Sequence, residues 1–285
     1  MSFELLQPDS LPGALKALAQ HGDEAKVLAG GTAIVLMLQQ KLIAPTVLVS
    51  VGRIPDLAYI RSEPDGIHVG PLTTLRDMER SLVIQTHFPL LAQASGEVGN
   101  IRVRNQATLG GNLAEADYAS DPPTALLALG TQITATSLRG ERTIPLEDFL
   151  IGFYTTDLEP DELITDVFIP ASAPGSRTTY LKYRSRSSED RPCACVAAIA
   201  AFEAETCTDL RVAVGAASEV PQRLPAVENL ARGQALTDEL IGEIAAGYAD
   251  NIDTLEDIRG SAWYRTQMIR IHVVRALEEL RNGRR

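Results

Sequence analysis

Short apolar runs alternate with breaks marked by glycine, proline or serine along the whole chain. Ser10, Pro12 and Gly22 frame the first run and predict a helix over Ser10 to Gln20. Serine caps a helix start, proline suits the first turn, and glycine closes the end. "AKVLA" then predicts a buried strand. After Gly30-Gly31, the apolar "TAIVLMLQQK" predicts a short helix. "TVLVSVG" (46–52) predicts a second buried strand, and "GIHVGP" (66–71) a short one leading to a helix near Thr74 to Ser81. "PLLAQASGEVG" (89–99) reads as helix, 101–123 as loop-rich, and "TALLALG" (124–130) as a helix stopped by Gly130. "TQITATS" alternates apolar and polar residues as a half-buried strand does, and "ELITDVFIP" (162–170) is a strand ended by Pro170.

The stretch "PASAPGSRTT" (170–179) crowds proline, glycine and serine together and predicts a linker. Beyond it, "TYLKYRSR", "ACVAAIAAFEAE" and "LRVAVGAA" predict three successive strands. Helices follow near Pro225, at 237–250 and at about 261–282. In the last, Met268, Ile271, Val274 and Leu277 recur at helical spacing and predict its buried stripe. These patterns place a boundary near residue 175. Residues 1–175 form an α+β domain, and 176–285 a three-stranded sheet with helices on it.

Composition narrows the function classes. The chain has 285 residues, 45 % hydrophobic and 22 % charged, which suits a soluble globular protein with ample core. A net charge of −11 argues against nucleic acid and against an anionic membrane surface. The basic runs "IRVRN" (101–105) and "KYRSR" (182–186) are local exceptions and read as solvated faces or interface rims. "ACVAAIAAF" is far shorter than the roughly 20 apolar residues of a membrane helix. No signal peptide is visible at "MSFELLQPDS", so a cytoplasmic location is expected and membrane insertion is not. Cys193, Cys195 and Cys207 are too few for an all-cysteine iron–sulfur cluster, and the first two read as small buried residues entering a strand. His21, His68, His87 and His272 are dispersed, so no metal site is expected.

The candidate chemistry lies in two Gly-Gly segments, "KVLAGGTAI" and "ATLGGN". Glycine permits positive φ and lets a ligand approach the backbone, and successive N–H groups in such a turn bind anions. Thr108 and Asn112 add hydrogen-bonding groups to the second. Neither segment matches a Rossmann fingerprint or a Walker A loop. There is no Gly-x-Ser-x-Gly elbow, no histidine in a triad context, and Glu189 and Asp190 in "SSEDRP" read as solvated acids. No catalytic residue is predicted, and an anion site remains one reading beside two plain turns.

Taken together, "LAGGTAIVLMLQQKL", "VSVGRIPDL", "VRNQATLGGNLAEADYASDPP", "ALLALG", "DFLIGFYTTDLEPDELITDVFIP", "YLKYRSR" and "IRGSAWYRTQMIRIHVVRAL" resemble a known family over nearly the full length. The chain is similar to the FAD-binding medium subunit of the xanthine dehydrogenase and carbon monoxide dehydrogenase family of molybdenum hydroxylases. The resemblance implies an FAD domain of the vanillyl-alcohol-oxidase (PCMH) type, built of two α+β subdomains, with a smaller C-terminal domain. It implies that Leu28, Ala29, Gly30, Gly31, Thr32, Ala33 and Ile34 form one pyrophosphate loop. Thr108, Leu109, Gly110, Gly111 and Asn112 form the other. Asp121 aligns with a flavin-contacting acid, Leu158 and Lys182 with positions flanking the flavin ring, and Val98 and Ile101 fall near the second loop. A lysine there would stabilise negative charge on the reduced ring.

The chain departs from the family in three places. Ala33 stands where a second hydroxyl residue is common, Tyr118 where proline is common, and Arg191 and Pro192 where some relatives place an aromatic residue over the flavin. Tyr118 and Arg191 are therefore candidates for tuning access to the flavin. The implied function is an FAD-dependent oxidoreductase subunit for electron transfer. A large partner subunit would hold molybdopterin and a small one 2Fe-2S clusters, in a heterotrimer or its dimer. The rival readings on the same fold are a stand-alone flavoenzyme and an FAD-free binding or scaffold protein.

Overall fold

The computed structural model describes residues 3–184, 187 and 190–283. Its first layer comprises β1 (Glu4–Leu6), α1 (Leu11–His21), β2 (Ala25–Leu28), α2 (Ile34–Gln39) and β3 (Val47–Ser50). The strands form a parallel sheet in the order β1-β3-β2, with Val47 opposite Glu4 on one side and Ala25 on the other. Parallel neighbours need crossovers, and α1 supplies one, laying Ala14, Leu15 and Leu18 against Val47 and Val49. By contrast α2 buries none of its residues, and Leu36 is 54 % exposed.

The second layer begins with β4 (Ile60–Glu63) and β5 (Gly66–Val69), then a run of short helices. These are α3 (Leu75–Arg80), α4 (Leu82–His87), α5 (Pro89–Gly96), α6 (Ile101–Arg104), α7 (Leu109–Glu115) and α8 (Pro122–Leu129). Next come β6 (Gln132–Ser137), β7 (Gly140–Pro145), α9 (Leu146–Phe149), β8 (Leu150–Gly152), β9 (Thr155–Thr156) and β10 (Leu163–Pro170). An antiparallel sheet runs β4-β5-β10-β6-β7. The stretch 101–123, expected to be loop-rich, instead holds α6, α7 and the start of α8. Local caps explain this. Asn100 Oδ1 accepts from the N–H groups of Arg102 and Val103 at 3.0 and 3.2 Å, Thr108 Oγ1 caps α7, and Pro122 and Pro123 open α8.

The C-terminal part contains β11 (Arg177–Tyr183), β12 (Ala194–Glu203), β13 (Thr206–Gly215), β14 (Gln222–Arg223), α10 (Pro225–Glu228), β15 (Gln234–Ala235), α11 (Asp238–Asn251) and α12 (Ala262–Asn282). The sheet has five strands rather than three, because β14 and β15 both pair onto β13. Two-residue pairings leave no periodicity to read. The stripe of α12 also differs from expectation. Its buried face is Arg265, Ile269, His272, Val273, Ala276, Leu277 and Leu280, while Ile271 is 39 % exposed. A buried arginine and histidine, absent from the expected stripe, belong to the buried face instead.

The apolar run of β12 is unbroken because both of its faces are covered. Ala194, Val196, Ala198 and Ala200 pack with α11 and α12, whereas Cys195, Ala197 and Ile199 join the core that contains α8. Cys193 and Cys195 are fully buried, as their position at the entry to an apolar strand predicts. No helix among the described residues is long and apolar enough to cross a membrane.

Candidate cofactor site

The chain leaves β2 at Leu28 and reaches α2 through Ala29, Gly30, Gly31, Thr32 and Ala33. Among the described residues, the backbone N–H groups of Gly30, Gly31, Thr32, Ala33 and Ile34 donate no hydrogen bond within the chain. All five residues are partly exposed. Gly31 has φ +77°, which glycine adopts without strain. Consecutive backbone N–H groups left free in this way can take an anion without a basic side chain. Ala33 lacks the hydroxyl common at its position, yet its N–H remains one of the five.

The second segment does a different job. Its N–H groups are already engaged: Leu109 donates to Thr73 O at 2.9 Å, Gly110 to Pro71 O at 2.8 Å, and Gly111 to Thr108 Oγ1 at 3.1 Å. Thr108 to Asn112 is therefore the capped first turn of α7, where sequence reasoning assigned backbone donors to Gly110 and Gly111. Their lack of side chains serves close packing instead. A Cβ on Gly110 would lie 2.4 Å from Pro71 Cβ, and one on Gly111 2.9 Å from the capping Thr108 Oγ1, with Ala29 Cβ in ordinary contact at 3.7 Å. A Cβ on Gly30 would lie 1.7 Å from Gln106 O. The fold thus brings the two Gly-Gly segments together into one wall, with the five consecutive free donors on the first.

Asn112 exchanges two hydrogen bonds with Ser120, at 2.8 and 3.1 Å, tying α7 to the stretch that ends at Asp121. Asp121 and Lys182, both named from sequence, meet each other. Lys182 Nζ donates to Asp121 Oδ2 and to Glu97 O, each at 2.8 Å, and Tyr180 OH donates to Asp121 Oδ1 at 2.6 Å. The ion pair is buried, with side-chain exposures of 3 % and 4 %. Burial pushes the Asp121 carboxyl up to about 6, against the opposing pull of Lys182 and Tyr180. Burial likewise raises the Tyr180 hydroxyl well above its ordinary range. Tyr180 and the Glu97 carbonyl were missed from sequence. The signal was available for Tyr180, since residues two apart on a strand share a face with each other.

Val98 is half-buried beside Glu97, and its carbonyl accepts from Arg104 at 3.1 Å. Ile101 opens α6 and is 48 % exposed. Leu158 packs partly buried against the core, in a turn strapped by Arg142. That guanidinium donates to both Glu162 oxygens at 2.8 Å, to Asp157 Oδ2 at 2.6 Å, and to the Asp157 carbonyl. Glu162 also accepts from Glu159 N at 2.8 Å. Tyr118 and Arg191 do not stand alone: Tyr118 bonds Asp257 and Arg259, and Arg191 pairs with Asp117 at 2.8 Å. Glu189 and the end of the basic run at 185–186 lie outside the described residues.

Residues 1–172 match the model of the FAD binding domain in molybdopterin dehydrogenase, and residues 179–280 that of the CO dehydrogenase flavoprotein C-terminal domain. The chain belongs to the FAD-binding medium-subunit family of the molybdopterin dehydrogenases. It is 33 % identical to the 6-hydroxypseudooxynicotine dehydrogenase complex subunit alpha of Paenarthrobacter nicotinovorans, over 97 % of this chain and 93 % of the relative. It is 32 % identical to the glyceraldehyde dehydrogenase medium chain of Sulfolobus acidocaldarius, over 98 % of each. The solved carbon monoxide dehydrogenase of Hydrogenophaga pseudoflava superposes with a TM-score of 0.95 at 32 % identity, covering 98 % of this chain and 97 % of that one. The fold is the PCMH-type FAD fold expected from the sequence. This medium subunit is an oxidoreductase subunit with FAD as its cofactor. Its residues fit that group: five consecutive backbone N–H groups without an acceptor in the chain suit a diphosphate, and Gly30 lets their loop lie close against Gln106.

Proposed function

We propose that this medium subunit is the FAD-carrying electron-transfer subunit of a molybdenum hydroxylase-type oxidoreductase. Partner chains hold the molybdopterin and the 2Fe-2S clusters, and this chain presents FAD between those clusters and an electron acceptor. The observation that carries the reading is the row of five free donors, Gly30 to Ile34, on a loop whose Gly30 lies against Gln106 and whose Ala29 lies beside Gly111. Those donors would hold the pyrophosphate, and Leu28 and Ala29 set the direction from which the loop leaves β2.

FAD, when bound, supplies the redox chemistry; the protein contributes binding, orientation and electrostatics. The buried Asp121–Lys182 pair would present a nearly neutral surface to the flavin, with Lys182 held by Asp121 and Glu97 O rather than free. Leu158, Val98 and Ile101 would supply apolar contact that excludes water. The division at residue 175, into a cofactor domain of 1–175 and a C-terminal domain of 176–285, belongs to the same proposal. The names of the relatives, as subunits and medium chains of larger complexes, support the partner assignment.

Purification of the chain from its host with its accompanying subunits tests the proposal. Visible flavin absorbance at one FAD per chain, together with molybdenum and iron in the partners, is the expected outcome. A colourless assembly that takes up no added FAD would refute it. Flavin in a chain that purifies without partners would favour a stand-alone flavoenzyme.

A further inference from the structure

Residues 116–121 connect α7 to α8 and carry the second Gly-Gly wall into Asp121. Ala116 sits in the left-handed region at φ +48°, so the connection turns sharply after α7. Most polar side chains that grip this stretch come from beyond residue 176, Asn112 and Tyr154 being the exceptions. Asp117 pairs with Arg191, and Asp121 with Lys182 and Tyr180. Tyr118 OH donates to Asp257 Oδ2 at 2.8 Å and accepts from Arg259 Nη2.

Asp257 is itself anchored. It accepts from Arg259 N at 2.8 Å, Arg259 Nε at 3.0 Å, and the fully buried Arg265. Arg265 also donates to the carbonyls of Cys193 and Ala216, at the ends of β12 and β13. Asp257 and Gly260 close the turn with two backbone bonds of 3.2 Å. Burial alone would raise the Asp257 carboxyl; the Arg259 N–H, Tyr118 and Arg265 instead hold it well below the usual carboxylate range. The ring of Tyr118 stands edge-on to Phe153 and Tyr154, at 88° and 89°. That packing sets where the ring lies, and the hydroxyl sets how far the loop reaches.

We propose that Tyr118 and Asp257 are a positioning pair for the FAD site, through which the 257–265 segment sets the placement of residues 116–121. This rests on the reading of residues 28–34 and 108–121 as that site. The route is short. Ser120 carries the position of the loop to Asn112 on α7, and Asp121 carries it to Lys182. A tie between two parts of a chain need not converge on one six-residue stretch beside a cofactor wall, whereas a positioning device must.

Tyr118→Phe keeps the ring and its packing and removes only the hydroxyl. In the assembly as purified, the dissociation constant for FAD should rise about tenfold, the scale expected for a lost bond to a charged group. The visible circular dichroism of the bound flavin should change with it. Asp257→Asn should act in the same direction, and the double variant should lose less than the product of the two single effects. FAD affinity within about twofold of wild type, with unchanged flavin dichroism, would overturn the proposal even if the variant melts earlier. A wild-type assembly without FAD would overturn the site reading itself, and the pair's role with it.

Discussion

Substituting Gly30 by alanine is the sharpest probe of the cofactor wall. The added methyl would sit 1.7 Å from Gln106 O, 2.7 Å from Gln106 C and 3.3 Å from Ala107 N, all backbone atoms that no rotamer change can move. An ordinary carbon–oxygen contact is about 3.3 Å or longer, so the two segments must separate by roughly 1.6 Å. Overpacking of this kind costs about 1–3 kcal/mol, and in a chain of this size each kcal/mol lowers the melting temperature by about 2–4 °C. The larger effect falls on the ligand. A misplacement of about 1 Å in a positioned site costs on the order of 100-fold, so FAD affinity should drop by at least that factor. Gly31→Ala should be milder, near 1–2 kcal/mol, since its neighbours at 3.4 and 3.5 Å leave room and only the positive φ is strained. Gly52→Ala is the control, with nothing within 4 Å of the added atom. Bound flavin per chain, read from visible absorbance, and FAD titration report all three. A Gly30→Ala assembly with full flavin and wild-type affinity would refute the wall.

Burial raises the Asp121 pKa to about 6, so the folded carboxyl holds its proton more tightly than the unfolded one. The stability it contributes is present below about pH 4 and is lost as pH rises through about 6. Denaturation midpoints across that window should show the slope in wild type and lose it in Asp121→Asn. The same substitution should cost about 3–5 kcal/mol at neutral pH, because it leaves Lys182 as a buried charge without its counter-ion. Glu162→Gln should weaken the strap around Leu158 by about 1–3 kcal/mol and speed hydrogen exchange across 157–162; unchanged exchange there would remove Arg142 and Glu162 from any role in holding Leu158. Thr108→Val should cost about 1 kcal/mol in thermal melts through the lost α7 cap while Thr108→Ser does not. An unaffected melt with weakened FAD binding would make the hydroxyl a ligand instead of a cap.

Much of this arrangement was legible because it was local. The strand, the Gly-Gly break and the apolar helix at 25–39 read directly from punctuation and periodicity, as did the long C-terminal strands. What escaped notice depended on partners distant in sequence. Asp121 and Lys182 each read as a flavin neighbour, yet only the folded sheet shows that they neutralise one another. Gly110 and Gly111 read as donors because glycine pairs often are; Pro71, 39 residues before Gly110, takes the first of those N–H groups, and the Thr108 cap the second. Arg265 defeated the stripe in α12 for a similar reason. Its Nη1 acceptors, Cys193 O and Ala216 O, flank strands far upstream, and a buried arginine needs such partners.

The two-sided burial of β12 bears on how the molecule comes apart. Cys195, Ala197 and Ile199 belong to the same core as Leu126 and Leu129 of α8, while their neighbours on the strand belong to the core under α11 and α12. A cut in the linker near residue 175 would therefore strip α8 of its cover and leave one face of the sheet wet. The boundary marks where two sequence models meet, but it is a poor place for scissors. Heat or denaturant should melt the second layer and the C-terminal sheet in a single cooperative step, and neither fragment should persist as a folded piece without the other.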